Sequence, residues 1–225
     1  MNTKNNIHLE GLVIDCTVEK TKSSEKSYAN VVLCTMRSVN GNKEKSFHYT
    51  RFPVSDGLKD KMLGIAGDCS ANFEGKALAS HVMAVDGELR NDLKGQPFIF
   101  ARPEDVSFPE KISRKGNSIK AEATIKKVVN TTPIASTLIV EMPSDHEGRK
   151  TSIPVMVEAK KNPAVWAALT AGELKEEDTV TITGKLDGRL FGHGQDLMLR
   201  AAIISDTVRM NKKQKKDITR STRKM

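Results

Sequence analysis

The sequence predicts an all-β protein with short helices, built as two consecutive β-barrels followed by a disordered basic C-terminal tail. Three observations carry this reading. β-prone segments separated by turn signals recur along the chain, their order in the first half returns in the second, and the cationic excess is confined to the last residues.

In the first half, stretches rich in Val, Ile, Thr, Phe and Tyr cover Ile7 to Glu19, Tyr28 to Met36, Lys45 to Val54 and Cys69 to Leu78, a composition that suits a half-buried pleated surface. Lys22-Ser23-Ser24, the Asn40-Gly41 hairpin dipeptide and Ser55-Asp56-Gly57 separate them. The last of these caps a short helix running through Met62. Residues 79 to 92 read as an extra excursion.

The second half repeats the order: Ile119 to Val129, Thr137 to Met142, Thr151 to Glu158, a helix near Pro163 to Leu169 with Pro at its start, then Thr179 to Leu186. Pro154 within the third of these suggests an edge strand or a bulge. Local sequence repeats as well. Gly67-Asp68 leading into Phe73-Glu74-Gly75-Lys76 matches Glu177-Asp178 leading into Ile182-Thr183-Gly184-Lys185, and Gly95-Gln96 matches Gly194-Gln195.

A five-stranded, partly open barrel with a helix between its third and fourth strands is the OB-fold, and each half, near 100 residues, can hold one. The expected organisation is a first OB-fold domain over residues 1–108, a linker at 109–117 rich in Pro, Gly and charge, a second OB-fold domain over 118–208, and a tail at 209–225.

Residues 1–108 carry 14 Lys/Arg against 14 Asp/Glu, and residues 109–208 carry 14 against 13. From Arg209 onward there are eight basic residues against Asp217, so the tail holds +7 of the net +8. It lacks the apolar stripe of a membrane helix. No apolar run approaches the ~20 residues of a membrane span, and MNTKNNIHLE has no signal-peptide core; no membrane partner and a cytoplasmic location are expected. Cys16, Cys34 and Cys69, odd in number and far apart, read as reduced core thiols.

The first half resembles the bacterial single-stranded DNA-binding protein (SSB) family. Ala29-Asn30-Val31-Val32-Leu33-Cys34-Thr35 is similar to that family's "AN-x-x-L-A-T" second strand, and Lys45-Ser46-Phe47-His48-Tyr49 stands at its "T-E-W-H-R" third strand. Ile65-Ala66-Gly67-Asp68 with Phe73-Glu74-Gly75-Lys76-Ala77-Leu78 resembles its "K-G-D-x-V-x-V-E-G-x-L", and Gly95-Gln96 its "G-Q" before the last strand. The resemblance covers residues 7–106 directly and 117–206 through the internal repeat. It departs from the family at Val39 and Val82, where tryptophans are usual, and in ending on a basic run instead of an acidic, Phe-ending tip.

The resemblance implies sequence-independent binding and protection of single-stranded DNA in replication, recombination or plasmid and phage DNA processing, with no cofactor. Two OB units in one chain further imply a homodimer, with replication or recombination proteins as further partners. Non-specific grip of a single strand needs π-faces for bases and cations for phosphates. Phe47, Tyr49 and Arg51 alternate along one strand and so share a face, opposite His48, Thr50 and Phe52. Because the family stacks bases at the position of Phe47, that set is assigned outward, with Tyr28 and Lys26 beside it. Lys126, Lys127, Arg149 and Lys150 are the second half's candidate phosphate contacts, and Lys212, Lys213, Lys215 and Lys216 those of the tail. Phe73, Phe98, Phe100 and Trp166 are expected in packing roles.

The five histidines share no metal-ligand spacing with the cysteines, and no nucleophile elbow or HExxH motif is present, so neither an enzyme nor a metal site is expected. Gly188 to Gly194 is glycine-rich without the strand-to-helix context of a phosphate loop, and reads as a hairpin. The competing readings are an OB-fold protein-interaction or adaptor module of a DNA-processing assembly, favoured by the neutral body and few aromatics, and RNA binding, because OB barrels hold RNA as well.

Overall fold

The computed structural model describes residues 5–21, 26–39, 42–71, 81–144, 149–191 and 198–210. The chain falls into two compact units: Ile7–Asn117 together with Asp187–Arg200, and Met1–Asn6 together with Ser118–Leu186 and the segment from Ala201.

The first unit holds β1 (Asn5–Lys20), β2 (Ser27–Val39), β3 (Asn42–Pro53), α1 (Asp56–Ala71), β4 (Val82–Asn91) and β5 (Pro97–Ser107). β1 pairs antiparallel with β2 and with β4, β2 with β3, and β4 with β5, while β3 and β5 run parallel. The pairings form a ring in the order of an OB barrel. Strand alternation fills it: Ile7, Leu9, Val31, Leu33, Phe52, Met83, Leu89 and Ile99 are buried, each such side chain contributing about 1.5–3 kcal/mol.

Two expectations change here. The helix does not stop near Met62 but continues through Cys69 to Ala71, because Met62, Ile65 and Cys69, spaced at helical intervals, are buried together. Gly64 and Gly67 weaken the local helical signal by about 1 kcal/mol each, so burial of that stripe, not propensity, holds the last turns. The strand expected over Cys69–Leu78 is therefore absent at its start, and residues 72–80, including Phe73, lie outside the described residues. The fourth strand is Val82–Asn91, the stretch read as an excursion.

The second unit holds β6 (Asn117–Thr131), β7 (Ala135–Pro143), β8 (Lys150–Glu158), α2 (Pro163–Thr170) and the greater part of β9 (Thr179–Phe191) and β10 (Met198–Met210), whose residues 187–191 and 198–200 belong to the first unit. Its ring is the same: β6 with β7 and β9, β7 with β8, β8 parallel to β10, and β10 beside β9. β8 is thus not an edge strand. Its parallel pairing to β10 begins at Val155, so Pro154, which has no N–H to give, sits just before that ladder starts. β10 continues through Arg209 to Met210, two residues into the expected tail; Lys212, Lys213, Lys215 and Lys216 lie outside the described residues.

The structural repeat aligns differently from the sequence one. In β4 a Cβ on Gly87 would collide with the Phe100 carbonyl oxygen, and in β9 a Cβ on Gly184 would collide with that of Ile204. Val85-Asp86-Gly87-Glu88-Leu89 therefore corresponds to Ile182-Thr183-Gly184-Lys185-Leu186, and it stands where the sequence reading placed Phe73–Leu78. The three cysteines are free and buried, and burial pushes the Cys16 thiol up to about 12.

Candidate functional site

β3 shows the alternation that the sequence dictates. Ser46, His48, Thr50 and Phe52 are buried, while Lys45, Phe47, Tyr49 and Arg51 take the outer side, Lys45 and Arg51 exposed and the two rings half-buried. Burial brings His48 down to about 3, so its imidazole is neutral at physiological pH; Nε2 lies 3.0 Å from Thr35 Oγ1 and 3.1 Å from Ser46 Oγ.

The register with β2 sets Asn30 opposite Arg51, Val32 opposite Tyr49 and Cys34 opposite Phe47. The Arg51 guanidinium lies 4.9 Å from the Tyr28 ring centroid, a cation–π distance, and Lys26 is exposed just before β2. The five residues chosen from the first half are therefore gathered on two adjacent strands.

The structure adds two rings to that surface. Arg51 is opposite Phe100 in the parallel β3–β5 pairing, and it is Ile99 and Ala101 that enter the core. Phe98 and Phe100 are half-buried on the outer side, so their expected core role is corrected. Phe98-Ile99-Phe100-Ala101 is apolar throughout, and composition alone cannot tell which parity faces inward. Arg90 of β4 lies over Phe100 at 3.8 Å and pairs with Glu88.

A depression of about 280 Å³ opens on this face, lined by Asn30, Tyr49, Thr50, Arg51, Asp92, Gln96, Pro97 and Phe98. Its far wall is the β4–β5 turn. Asp92 Oδ1 accepts the Lys94 and Gln96 amides, both at 2.8 Å, Asn91 Nδ2 donates to the Gly95 carbonyl at 2.9 Å, and Gly95 takes φ 78°. A strand 2–3 face bordered by this turn is where OB-folds hold oligonucleotides and oligosaccharides.

Beside Phe47, the Gly188 amide donates to Ser46 Oγ at 2.9 Å, and a Cβ on Gly188 would strike the Phe47 carbonyl oxygen. Arg37 bridges Asp187 and Glu44, and Arg189 stands 3.7 Å from Asp187 and 3.9 Å from Glu44. The glycine-rich stretch thus begins as strand in β9; residues 192–197 lie outside the described residues.

The second unit's candidates are placed differently. Lys126 Nζ is 2.9 Å from Glu177 and 3.5 Å from Glu141, and the hydrogen bond it donates to Glu177 is the main cause of its raised pKa. Lys150 is 3.4 Å from the same Glu141. Lys127 and Arg149 are exposed. Around Lys150, a depression of about 240 Å³ is lined by Glu122, Glu141 and Thr179, a carboxylate setting that repels phosphate. Trp166, half-buried on α2, donates Nε1 to the Thr132 carbonyl at 3.0 Å and so serves packing. Among the described residues no cluster of His, Cys, Asp or Glu is arranged to hold a metal, and no helix is long and apolar enough to cross a membrane.

No protein-family model matches the chain, and no curated protein matches it. Solved structures do. A deletion variant of the single-stranded DNA-binding protein from Thermus aquaticus superposes with a TM-score of 0.58 at 12% identity, over 92% of this chain and 94% of that one. The wild-type protein gives the same TM-score and identity over 92% of each chain. At that identity the likeness establishes the fold: a mostly β chain of the SSB type.

Proposed function

We propose that this protein binds single-stranded DNA without strong sequence preference, chiefly on the outer face of the first barrel, and protects it during replication, recombination or plasmid and phage DNA processing in the cytoplasm. The observation that carries the reading is the strip Tyr28, Arg51, Phe100 and Arg90, in which rings alternate with guanidinium groups across β2, β3, β5 and β4, with Phe47 and Tyr49 along the same side of β3. Bases stack on such rings at about 1–3 kcal/mol each whatever their identity, and the arginines answer the phosphates. Lys26 and the tail's Lys212, Lys213, Lys215 and Lys216 add long-range attraction, which salt weakens.

Fluorescence-monitored binding of oligo(dT) at two salt concentrations tests this. Phe47→Ala is expected to weaken binding about tenfold or more. No binding at low salt overturns the single-strand reading, and an unaffected mutant removes Phe47 from the face. Competition with matched RNA separates a DNA from an RNA preference.

A second reading applies to the second barrel, as an assembly surface for a homodimer or for replication and recombination proteins. The observation that favours it is the exposure of Val129, Ile134 and Met156 on a unit whose outer β7–β8 face has no aromatic residue. Analytical ultracentrifugation of Ile134→Asp against wild type reports on it directly.

A further inference from the structure

We infer that the depression beside the β4–β5 turn is a base-reading subsite, which takes one base of the bound strand and favours guanine. The inference rests on the proposed single-strand binding and adds to it a local selectivity.

Size comes first. A depression of about 280 Å³ is below the ~300–1,000 Å³ of pockets for drug-sized ligands, which suits a single base. Tyr49 of β3 and Pro97 and Phe98 at the start of β5 all line it, so a planar group entering it meets apolar rings.

Charge decides which part of a nucleotide enters. Asp92 lines the depression, and a carboxylate repels phosphate, so the backbone runs along the Arg51 side and the base points toward the turn. Hydrogen-bond polarity then decides which base. Asn30 gives its Nδ2 to Glu19 Oε2 at 3.3 Å, which leaves its Oδ1 as an acceptor. Asp92 Oδ1 is taken by the amides of Lys94 and Gln96, and no described donor takes Oδ2. The polar end therefore offers two acceptor atoms, Asn30 Oδ1 and Asp92 Oδ2, beside the Gln96 side chain.

Guanine presents two adjacent donors, N1–H and the N2 amino group, on its Watson–Crick edge. Cytosine and adenine offer one amino group, while thymine and uracil set a lone N–H between two carbonyls that a carboxylate repels. The turn's internal hydrogen bonds hold this edge before a ligand arrives, which lowers the ordering cost of selectivity.

The test compares oligo(dT) with the same oligomer carrying one central dG, dA, dC or dU. A single dG is expected to tighten binding about five- to thirtyfold, with dA and dC intermediate and dU equal to dT. Asp92→Asn keeps an oxygen for the turn amides and replaces the free one with a donor. It should bring the dG oligomer to within about twofold of oligo(dT) measured on the same variant, while its circular dichroism spectrum and thermal melt, the checks on folding, stay as in wild type. Equal affinities in wild type, or a guanine preference that survives Asp92→Asn, overturn the inference while leaving single-strand binding standing. Failure of every oligomer to bind overturns both. Free dGMP, lacking neighbouring bases to stack on the strip, should not compete at the oligomer's concentration; if it does, the subsite serves a mononucleotide and the strand-borne reading is overturned.

Discussion

In the first barrel the outward positions of the second and third strands carry Tyr28, Asn30, Phe47, Tyr49 and Arg51; in the second barrel the corresponding strands carry Thr137, Ile139, Glu141, Ser152, Pro154 and Met156. The inward positions of the two are interchangeable in kind, with Val31, Leu33 and Phe52 answered by Leu138, Val140, Ile153 and Val155. Strand geometry separates the two demands, since alternate residues face opposite sides. One half of each strand is held to a packed core, and the other half is free to acquire aromatic rings in one copy and lose them in the other. Charge follows the same division. Arg51 lies against the Tyr28 ring and Arg90 against Phe100 as well as Glu88, whereas Lys126 and Lys150 lie against carboxylates.

The sharpest way to test the shared scaffold is to strike both barrels at the equivalent glycine. Gly87→Ala and Gly184→Ala each drive a methyl into a backbone carbonyl that cannot swing aside, and each is expected to destabilise its barrel by about 3 kcal/mol. Thermal melts should show two comparable losses; a large loss at one glycine and none at the other would break the equivalence.

A smaller effect probes the difference between the outer faces. Glu141→Gln leaves Lys126 with Glu177 alone and removes the described acidic partner of Lys150. If the bound strand passes over the second barrel, affinity should rise a few-fold and the salt slope should steepen by about 0.7, the value of one added phosphate contact to a single strand. Titration against oligo(dT) at several salt concentrations that shows no change would confine the strand to the first barrel.

The smallest effect is on pH dependence, which should belong to the first barrel, since no histidine occurs among the described residues of the second unit. Burial pulls His8 down, but its hydrogen bonds to Glu10 and Asp86 and their charges outweigh that, and the net shift is upward from 6.5. A raised folded value means that the protonated imidazole stabilises the fold. The contribution is full below about pH 6.5 and fades as pH rises through the folded value. The midpoint of thermal unfolding should therefore fall between about pH 6 and pH 8, and His8→Gln should flatten that fall; an identical slope in the variant would remove His8 as its source.

Much of the fold and part of the face were legible in the residues themselves. Period-2 alternation places Phe47, Tyr49 and Arg51 on one side of β3 and His48, Thr50 and Phe52 on the other, and the structure keeps that division. Ser55-Asp56-Gly57 and Pro163 at the two helix starts and the repeated element order carried the two-barrel architecture, because each is a local preference of the backbone, while Asn40-Gly41 and Lys22-Ser23-Ser24 lie outside the described residues.

Only the tertiary structure decided the rest. Helix α1 runs on to Ala71 because Met62, Ile65 and Cys69 find a common core, which two glycines in the local sequence obscure. Phe98 and Phe100 face outward because the parallel register with β3 turns Ile99 inward, a parity no uniformly apolar run reveals. Lys126 and Lys150 look like free cations in sequence but meet Glu141 and Glu177, which lie on other strands and turns. Alternation and turn chemistry act between neighbours along the chain, whereas register, ion pairing and the walls of the depression join residues far apart in sequence, and the pairing of strands determines which of them meet.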